Sequence, residues 1–337
     1  MLRLDLKFPL DRIFSPPSSP RNEYIPFKCL NVDQIPRARF RGQTVETMPL
    51  VSMKDMLAHA SEHGYAVGAF NPVDYASFRA MIEAAEELES PVIAQTSAKT
   101  VRYYGYKAII GWARELCENT TVPVALHLDH GKDMDMIKSC IDHGWTSVMI
   151  DASDKSFEEN LALSRKVVEW AAEKGVGVEA ELGEIGGVEE EIVVAEEDAH
   201  LADPDKAERF CRELDLAVFA PAIGTAHGYY KGEPNVAFDL IQDIFQRTGT
   251  PLALHGGTGL PDETIQKCIR RGCAKVNIST NLKHVFVDGF CNYHSENPQD
   301  YEPRRVLKAQ YDAMKDLIRD KISQFGSVGM AATQTTI

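Results

Sequence analysis

The sequence predicts an α/β protein that folds as a (β/α)8 TIM barrel with extra helices at its C-terminus. Three observations support this fold class. Short apolar runs recur from position 66 onwards, segments with helical spacing separate them, and the eight runs extend over about 230 residues, a usual size for such a barrel. A doubly wound open sheet is the structural alternative, but no Gly-x-Gly-x-x-Gly motif follows the first run, so a dinucleotide-binding fold has little support.

The apolar runs have the length and composition of strands that are buried on both faces. In chain order they occupy residues 66–70, 91–95, 122–128, 147–150, 176–180, 217–223, 251–254 and 274–278. Between them apolar side chains recur at helical spacing, so that Phe78, Met81 and Ile82 share one face of the first intervening helix. After the eighth run, residues 281–325 predict two further helices.

The ends of the chain differ from the part between them. Residues 1–47 contain a Ser-Pro-Pro-Ser-Ser-Pro stretch and show no lasting helical or strand period, which predicts a disordered N-terminal extension. Residues 48–330 form the predicted barrel domain, and residues 331–337 form a tail. The extension offers no apolar face, so the barrel is expected to fold without it.

The composition excludes several classes of protein. A hydrophobic content of 44% and a charged content of 26% are ordinary for a soluble globular protein, and the formal net charge of −14 argues against a nucleic-acid binder. No apolar run approaches the roughly 18 residues of a membrane span. Seven cysteines without a Cys-x-x-Cys pair indicate reduced thiols and a cytoplasmic location. An anionic substrate would need local positive potential from a metal, from Lys or Arg side chains, or from backbone N–H groups.

Polar residues stand where three of the predicted strands end. The third run leads into Asp129 and His130, the sixth is followed by His227, and the seventh leads into His255. The carboxyl ends of barrel strands share one rim, where barrel enzymes keep their catalytic groups. Three neutral imidazoles with one open position are typical of a catalytic zinc site, and a neighbouring carboxylate can transfer protons.

The loops on the same rim predict a phosphate site and a second source of metal ligands. Gly256-Gly-Thr-Gly259 precedes a helix, an arrangement in which backbone N–H groups and the Thr258 hydroxyl can bind a phosphate, and Lys231 could add charge. On the fifth strand Glu179 and Glu181 point the same way, and a carboxylate in a barrel mouth is costly unless a metal or donors meet it. The glycines at positions 183, 186 and 187 predict a mobile loop over the site, with Glu189 at its base.

Together these segments resemble a known family. From Met48 to about Gly329 the chain is similar to the class II, metal-dependent ketose-bisphosphate aldolases. The motifs that carry the resemblance are Ala69-Phe-Asn71, His127-Leu-Asp-His-Gly131, Val178-Glu-Ala-Glu-Leu-Gly183, Gly186-Gly-Val-Glu189, Ala222-Ile-Gly-Thr-Ala-His-Gly228, Leu254-His-Gly-Gly257 and Lys275-Val-Asn-Ile-Ser-Thr280. The resemblance implies a (β/α)8 barrel and reversible cleavage of a ketose 1,6-bisphosphate to dihydroxyacetone phosphate and an aldehyde such as glyceraldehyde 3-phosphate.

The resemblance also implies roles for individual residues. A zinc ion would be bound by His130, His227 and His255 and would stabilise an enediolate. Glu181 matches an alternative ligand of this ion, and a monovalent cation would be a second cofactor. Asp129 matches the catalytic acid/base and Glu189 a mobile carboxylate that transfers a proton. The positions that match substrate contacts are Asn71, Ser97, Gly228, Lys231, Gly256, Thr258, Asn277, Ser279 and Thr280. Arg304 resembles an arginine that reaches the site of a neighbouring subunit, which implies a homodimer or homotetramer.

Two departures from the family pattern leave the identity of the sugar substrate undecided. Ser279 stands where fructose-bisphosphate aldolases commonly have Asp and tagatose-bisphosphate aldolases a small residue, which favours a tagatose-type substrate. The segments after Asn71 and Ser97 also differ, so another ketose phosphate, such as a deoxy-keto-gluconate phosphate, stays an alternative. A metal-dependent sugar-phosphate epimerase or isomerase is a second alternative. A non-catalytic partner subunit is a third alternative. The presence of Asp129 together with the three histidines argues against it.

Overall fold

The structure, a computed structural model, describes residues 50–189, 192–194, 200–230, 232 and 234–331, with the side chains of 188, 189 and 192–194 outside the description. The predicted extension at 1–47 and the tail from residue 332 lie outside the described residues. Within them no helix is long and apolar enough to cross a membrane.

Eight parallel strands close into a barrel, which confirms the predicted fold class. In chain order the strands are β1 (Val67–Phe70), β2 (Val92–Ser97), β3 (Val124–Gly131), β4 (Ser147–Ile150), β5 (Gly177–Leu182), β6 (Gly186–Glu189), β7 (Ile192–Val194), β8 (Val218–Pro221), β9 (Ala226–His227), β10 (Leu252–Leu254) and β11 (Cys273–Ile278). Strands β1 to β5, β8, β10 and β11 form the barrel, and β11 pairs with β1 to close it. Each lies within a few residues of a predicted apolar run.

Most of the helices connect successive barrel strands and cover their outer faces, while the first precedes β1 and the last two follow β11. The helices are α1 (Met53–His63), α2 (Tyr75–Glu87), α3 (Ala98–Tyr104), α4 (Tyr106–Cys117), α5 (Met134–His143), α6 (Phe157–Ala172), α7 (Pro204–Glu213), α8 (Phe238–Thr248), α9 (Asp262–Ile269), α10 (Thr280–Glu296) and α11 (Pro303–Phe325). The last two are the extra C-terminal helices that the sequence predicts. Local signals set several helix starts: Asp74 accepts a hydrogen bond from Ser77 N at 2.8 Å, and Ser77 Oγ accepts one from Asp74 N at 2.9 Å.

Two apolar clusters build the core, one on each side of the barrel wall. The larger cluster fills the space between the strands and the surrounding helices. The smaller cluster joins Met53, Met56 and Leu57 of α1 to inward-facing residues near the strand starts, such as Val67 and Ala125. Helix α1 therefore packs against the amino-terminal end of the barrel interior. The carboxyl ends of the strands are left to carry polar side chains.

The segment after β5, which the sequence predicts to be a mobile loop, contains two short strands among its described residues. Strands β6 and β7 pair as an antiparallel hairpin, and β6 pairs in parallel with β9, where Gly187 lies opposite His227. Gly187 has a φ of +107°, and a Cβ at this position would lie 2.3 Å from the carbonyl oxygen of His227. The glycine is thus needed for close backbone approach. The hairpin is anchored to the strand that carries a predicted metal ligand.

Candidate active site

The three predicted metal-binding histidines meet on the carboxyl rim of the barrel. His130 belongs to the end of β3, His227 to β9, and His255 follows β10. Their ligand nitrogens lie within 4.8 Å of one another. His130 Nε2 and His255 Nδ1 are 3.0 Å apart, close to the about 3.4 Å that separates two nitrogens on one tetrahedral zinc ion.

The second nitrogen of two of these rings faces a buried carboxylate. His130 Nδ1 lies 3.0 Å from Asp151 Oδ2, and His255 Nε2 lies 2.7 Å from Glu179 Oε1. An ionised carboxylate only accepts hydrogen bonds, so each of these nitrogens carries the proton of its ring. The lone pairs of His130 Nε2 and His255 Nδ1 then face each other across 3.0 Å, which is favourable only when a cation or a proton lies between them. The donor set therefore fits a divalent metal.

His130 combines backbone strain with a strongly negative surrounding. Its φ of +46° places a non-glycine residue in the left-handed region, where such strain is common at functional sites. Burial lowers the pKa of His130, but the charges of Asp129 and Asp151 outweigh it and raise the pKa to about 10. By contrast, burial and the neighbouring His130 hold the pKa of His227 well below its usual range. The position of His130 therefore attracts positive charge.

A second group of possible ligands adjoins the first. His130, Asp151 and Glu181 also bring their ligand atoms within 4.8 Å of one another, and Glu181 Oε2 lies 3.9 Å from His130 Nδ1. This Glu181 oxygen makes no hydrogen bond among the described residues. Burial and the charge of Asp151 raise the pKa of Glu181 well above its usual value. A cation shared with His130 would relieve that cost, as expected for an alternative ligand.

Asp129 is buried beside the histidines and is held by two amides. Asn71 Nδ2 donates to Asp129 Oδ2 at 3.2 Å, and Asn277 Nδ2 donates to Asp129 Oδ1 at 3.4 Å. Burial alone would raise the pKa of Asp129, but the nearby His130, Lys275 and His255 lower it below its usual value. An ionised carboxylate with both oxygens oriented in this way can accept a proton from a substrate.

The glycine loops after β8 and β10 are linked to each other. Tyr230 Oη donates to the carbonyl of Gly256 at 2.8 Å and accepts from Ala226 N at 3.1 Å. Gly228 and Gly256 both have positive φ, and a Cβ on Gly256 would lie 2.4 Å from the carbonyl oxygen of Ala226. Thr258 is buried in the same loop. The two loops are therefore held together where the sequence predicts a backbone cradle for phosphate.

Ser279 and Thr280 lie where β11 passes into α10. Ser279 precedes the helix but its side chain makes no capping hydrogen bond, and its buried Oγ has no partner among the described residues. Thr280 is the first residue of α10. A buried hydroxyl without a protein partner costs free energy unless a ligand meets it.

Of the four remaining predicted site residues, Ser97 lies beside this constellation, because the register of β2 and β3 places it opposite Asp129. No described contact joins the other three residues to the constellation. Ser97 caps α3, where its Oγ accepts from Thr100 N at 3.3 Å. Arg304 is exposed at the start of α11 and pairs with Glu302 at 2.9 Å. Lys231 and the side chain of Glu189 lie outside the described residues.

The structure adds site residues that the sequence analysis did not assign. Asp151 directly follows β4, so the strand-end pattern that identified the histidines could have found it. Lys275 and Gln95 are fully buried polar residues within apolar strands, and Gln95 Nε2 donates to Asn71 Oδ1 at 3.0 Å. Tyr230 had no sequence signal apart from its place two residues after Gly228.

Comparisons with known proteins identify the family of the chain. Residues 51–330 match the family described as fructose-bisphosphate aldolase class-II. The chain is 43% identical over 287 residues to the fructose-bisphosphate aldolase of Staphylococcus aureus, covering 84% of this chain and 100% of the relative. It is 44% identical over 288 residues to that of Geobacillus stearothermophilus, covering 85% and 100%. The crystal structure of the YdjI aldolase from Escherichia coli K12 superposes with a TM-score of 0.74 at 32% identity, covering 84% of this chain and 99% of that one. The chain therefore belongs to the class-II fructose-bisphosphate aldolase family.

Proposed function

We propose that the protein cleaves a ketose 1,6-bisphosphate to dihydroxyacetone phosphate and an aldehyde such as glyceraldehyde 3-phosphate, with a zinc ion bound by His130, His227 and His255. Reversible aldol cleavage of a ketose bisphosphate is the reaction of this metal-dependent lyase family. The epimerase or isomerase and the non-catalytic subunit are not favoured. The observation that carries the metal assignment is the pair of imidazole nitrogens at 3.0 Å, each ring backed by a buried carboxylate.

Zinc suits this donor set because three neutral imidazoles leave a fourth position for substrate. Once bound, the ion supplies Lewis acidity that polarises the ketose carbonyl and stabilises negative charge on its oxygen. Glu181 is proposed as an alternative ligand when the ion changes position. A monovalent cation near the phosphate loops is part of the same proposal.

Asp129 is proposed to accept the proton of the C4 hydroxyl. The C4–O bond then becomes the aldehyde carbonyl, the C3–C4 bond breaks, and its electron pair stays with the triose phosphate. Asn71 and Asn277, which orient the two Asp129 oxygens, are also proposed to contact oxygen atoms of the substrate. C3 then gains a proton, and Glu189 is proposed as the donor. This role is supported by the family resemblance alone.

The phosphate of the triose part is proposed to bind the loops around Gly228, Gly256 and Thr258, with Lys231 and Thr280 as further donors. Support comes from the backbone cradle that Tyr230 ties together, because backbone N–H groups can bind an anion in an acidic protein. Ser97 is proposed to lie near the other end of the sugar.

The identity of the sugar is proposed from Ser279. The curated relatives are named for fructose bisphosphate, whereas the buried Ser279 hydroxyl, without a described partner, favours a substrate hydroxyl in a different orientation. We expect tagatose 1,6-bisphosphate to be cleaved at least as well as fructose 1,6-bisphosphate. A wild-type preference for fructose bisphosphate of about a hundredfold in kcat/KM would refute the Ser279 argument and leave the aldolase function intact, since one polar mismatch accounts for about 1–3 kcal/mol.

The proposed function is tested by measuring dihydroxyacetone phosphate release in a coupled assay from several ketose bisphosphates. A strong chelator should abolish release, and zinc should restore it in proportion to the metal bound. Full activity with no detectable metal would overturn the metal assignment. Failure to release dihydroxyacetone phosphate from any of the sugars would overturn the function.

A cytoplasmic homodimer or homotetramer completes the proposal. Arg304 is exposed and basic at the start of α11, as expected for a residue that enters a neighbouring site. Arg304→Ala should lower kcat/KM while sedimentation shows an unchanged assembly. A monomeric wild type with full activity would exclude this role, and cell fractionation tests the location.

A further inference from the structure

A charged pair lies inside the barrel behind the proposed active site. Lys275 of β11 and Glu179 of β5 have no solvent exposure, and Lys275 Nζ lies 2.9 Å from Glu179 Oε2. Replacing a buried ion pair with packed apolar residues is often neutral or stabilising. Fold stability alone therefore does not explain why a lysine and a glutamate occupy these positions. The groups that they contact suggest a role in the active site.

Glu179 connects the pair to a predicted metal ligand. Its Oε1 accepts from His255 Nε2 at 2.7 Å, while its Oε2 lies 3.3 Å from His127 Nε2. A Glu179 carboxylate that pairs with Lys275 and accepts from His255 keeps the ring proton of His255 on Nε2, which leaves Nδ1 as the ligand atom.

Lys275 has a second partner on the substrate side. Its Nζ donates to Asn277 Oδ1 at 2.7 Å. A lysine ammonium has donors and no acceptor, so it can meet only the oxygen of the Asn277 amide. The amide nitrogen must then point the other way, towards Asp129 Oδ1 at 3.4 Å. Lys275 thus selects one of the two flip states of Asn277.

We propose that Lys275 is a positioning residue for aldol cleavage: through Glu179 it orients His255 towards the metal, and directly it orients Asn277 towards Asp129 and the substrate. The proposal rests on the proposed function. One lysine thereby couples the geometry of the metal site to that of the reacting carbon atoms.

The test separates these two effects with a single and a double variant. Lys275→Met removes the donor and leaves Glu179 as an unpaired buried charge. Glu179→Gln combined with Lys275→Met removes both charges, and the amide oxygen introduced by the first substitution can still accept from His255. Lys138→Met is the matched control, because Lys138 forms an exposed pair with Asp142 at 2.9 Å and lies outside the site.

For each holoenzyme, the metal dissociation constant is measured by competition with a chelator, and kcat and KM are measured at saturating zinc. Lys275→Met should weaken metal binding by about ten- to a hundredfold and lower kcat by a similar factor, because misplaced ligands and catalytic groups cost that much. The double variant should regain metal affinity to within about threefold of wild type, while kcat stays low and KM changes little. Lys138→Met should match wild type in every measurement.

Three results would overturn the proposal. The first is a Lys275→Met variant whose metal affinity and kcat both equal those of wild type. The second is a double variant that recovers kcat together with metal affinity, since Lys275 would then only neutralise Glu179. The third is loss of the folded barrel in both variants by circular dichroism, which would assign the pair to stability. Failure of the proposed function itself would appear separately, as absence of cleavage in wild type and in Lys138→Met.

Discussion

Replacement of Asp151 by Asn should weaken metal binding without changing the shape of the site. Asp151 is buried, with Oδ2 at 3.0 Å from His130 Nδ1 and Oδ1 accepting from Ser153 Oγ at 2.7 Å. In the Asp151→Asn variant an NH2 group replaces one of the two carboxylate oxygens. If the amide oxygen stays with Ser153, the NH2 group faces His130 Nδ1, and this nitrogen must give up its proton to accept a hydrogen bond. The proton then moves to Nε2, the nitrogen that is expected to bind the metal.

The magnitude follows from the contact that is lost. A hydrogen bond to a charged group contributes about 1.5–3 kcal/mol, which corresponds to roughly ten- to a hundredfold in a dissociation constant. Chelator competition measures this change directly, and activity as a function of added zinc measures it independently. At saturating zinc, kcat and KM should return to near the wild-type values, because Asp151 is not expected to contact the sugar.

The matched control is Asp154→Asn. Asp154 lies three positions further on, is about half exposed and pairs with Lys155 at 3.4 Å, so the variant removes the same charge near the site without touching His130. Its metal affinity should stay within about threefold of wild type, since exposed pairs contribute little. Equal dissociation constants for the Asp151 variant and wild type would refute the tautomer argument. Equal weakening of metal binding in both variants would indicate a long-range effect of charge instead of a change of tautomer.

Four further predictions concern the rest of the chain. Asp129→Ala should keep metal binding and the melting temperature but lower kcat by about 10²–10⁴-fold, and a loss below about tenfold would exclude it as the base. Tyr230→Phe should raise the inhibition constant for inorganic phosphate by about two- to tenfold, because the hydrogen bond to Gly256 that joins the two loops and the local one from Ala226 N are lost, and an unchanged constant would exclude that link. Ser279→Asp should shift the ratio of kcat/KM values towards fructose 1,6-bisphosphate, and a shift towards tagatose 1,6-bisphosphate would reverse the assignment. A chain that begins at Met48 should match the full-length protein in melting temperature and turnover, and a clear fall in either would show that residues 1–47 contribute to the barrel.

The barrel could be predicted because its strands are buried on both faces and read as apolar runs, which needs no knowledge of their partners. The histidines could be predicted for a related reason, since each follows such a run and all strand ends share one rim. The hairpin of β6 and β7 could not, because its glycines read as a mobile loop. Only the pairing of Gly187 with His227, far apart in the sequence, shows that they permit backbone contact.

The carboxylates that orient the histidines were harder to predict because their partners come from other strands. The strand-end pattern could have placed Asp151 on the rim, but its contact with His130 follows only from the pairing of Gly131 of β3 with Ile150 of β4. Lys275 reads as a lysine within a strand, and its partner Glu179 lies on β5, across the barrel interior from β11. Such pairs depend on strand order and register, which periodicity in a sequence does not specify.

The distribution of charge explains how an acidic protein can bind a bisphosphate. Among the described residues, Asp151, Glu179 and Glu181 are buried beside the histidines, where Asp151 and Glu179 can fix the ring tautomers and all three carboxylates favour a cation. The proposed phosphate loops use backbone N–H groups instead, which carry no net charge and bind an anion by their direction. We therefore expect the metal and the phosphate to bind at different parts of the strand-end rim. It follows that substitutions of the carboxylates should change metal affinity first, whereas substitutions in the loops should change KM for the phosphorylated sugar at constant metal affinity.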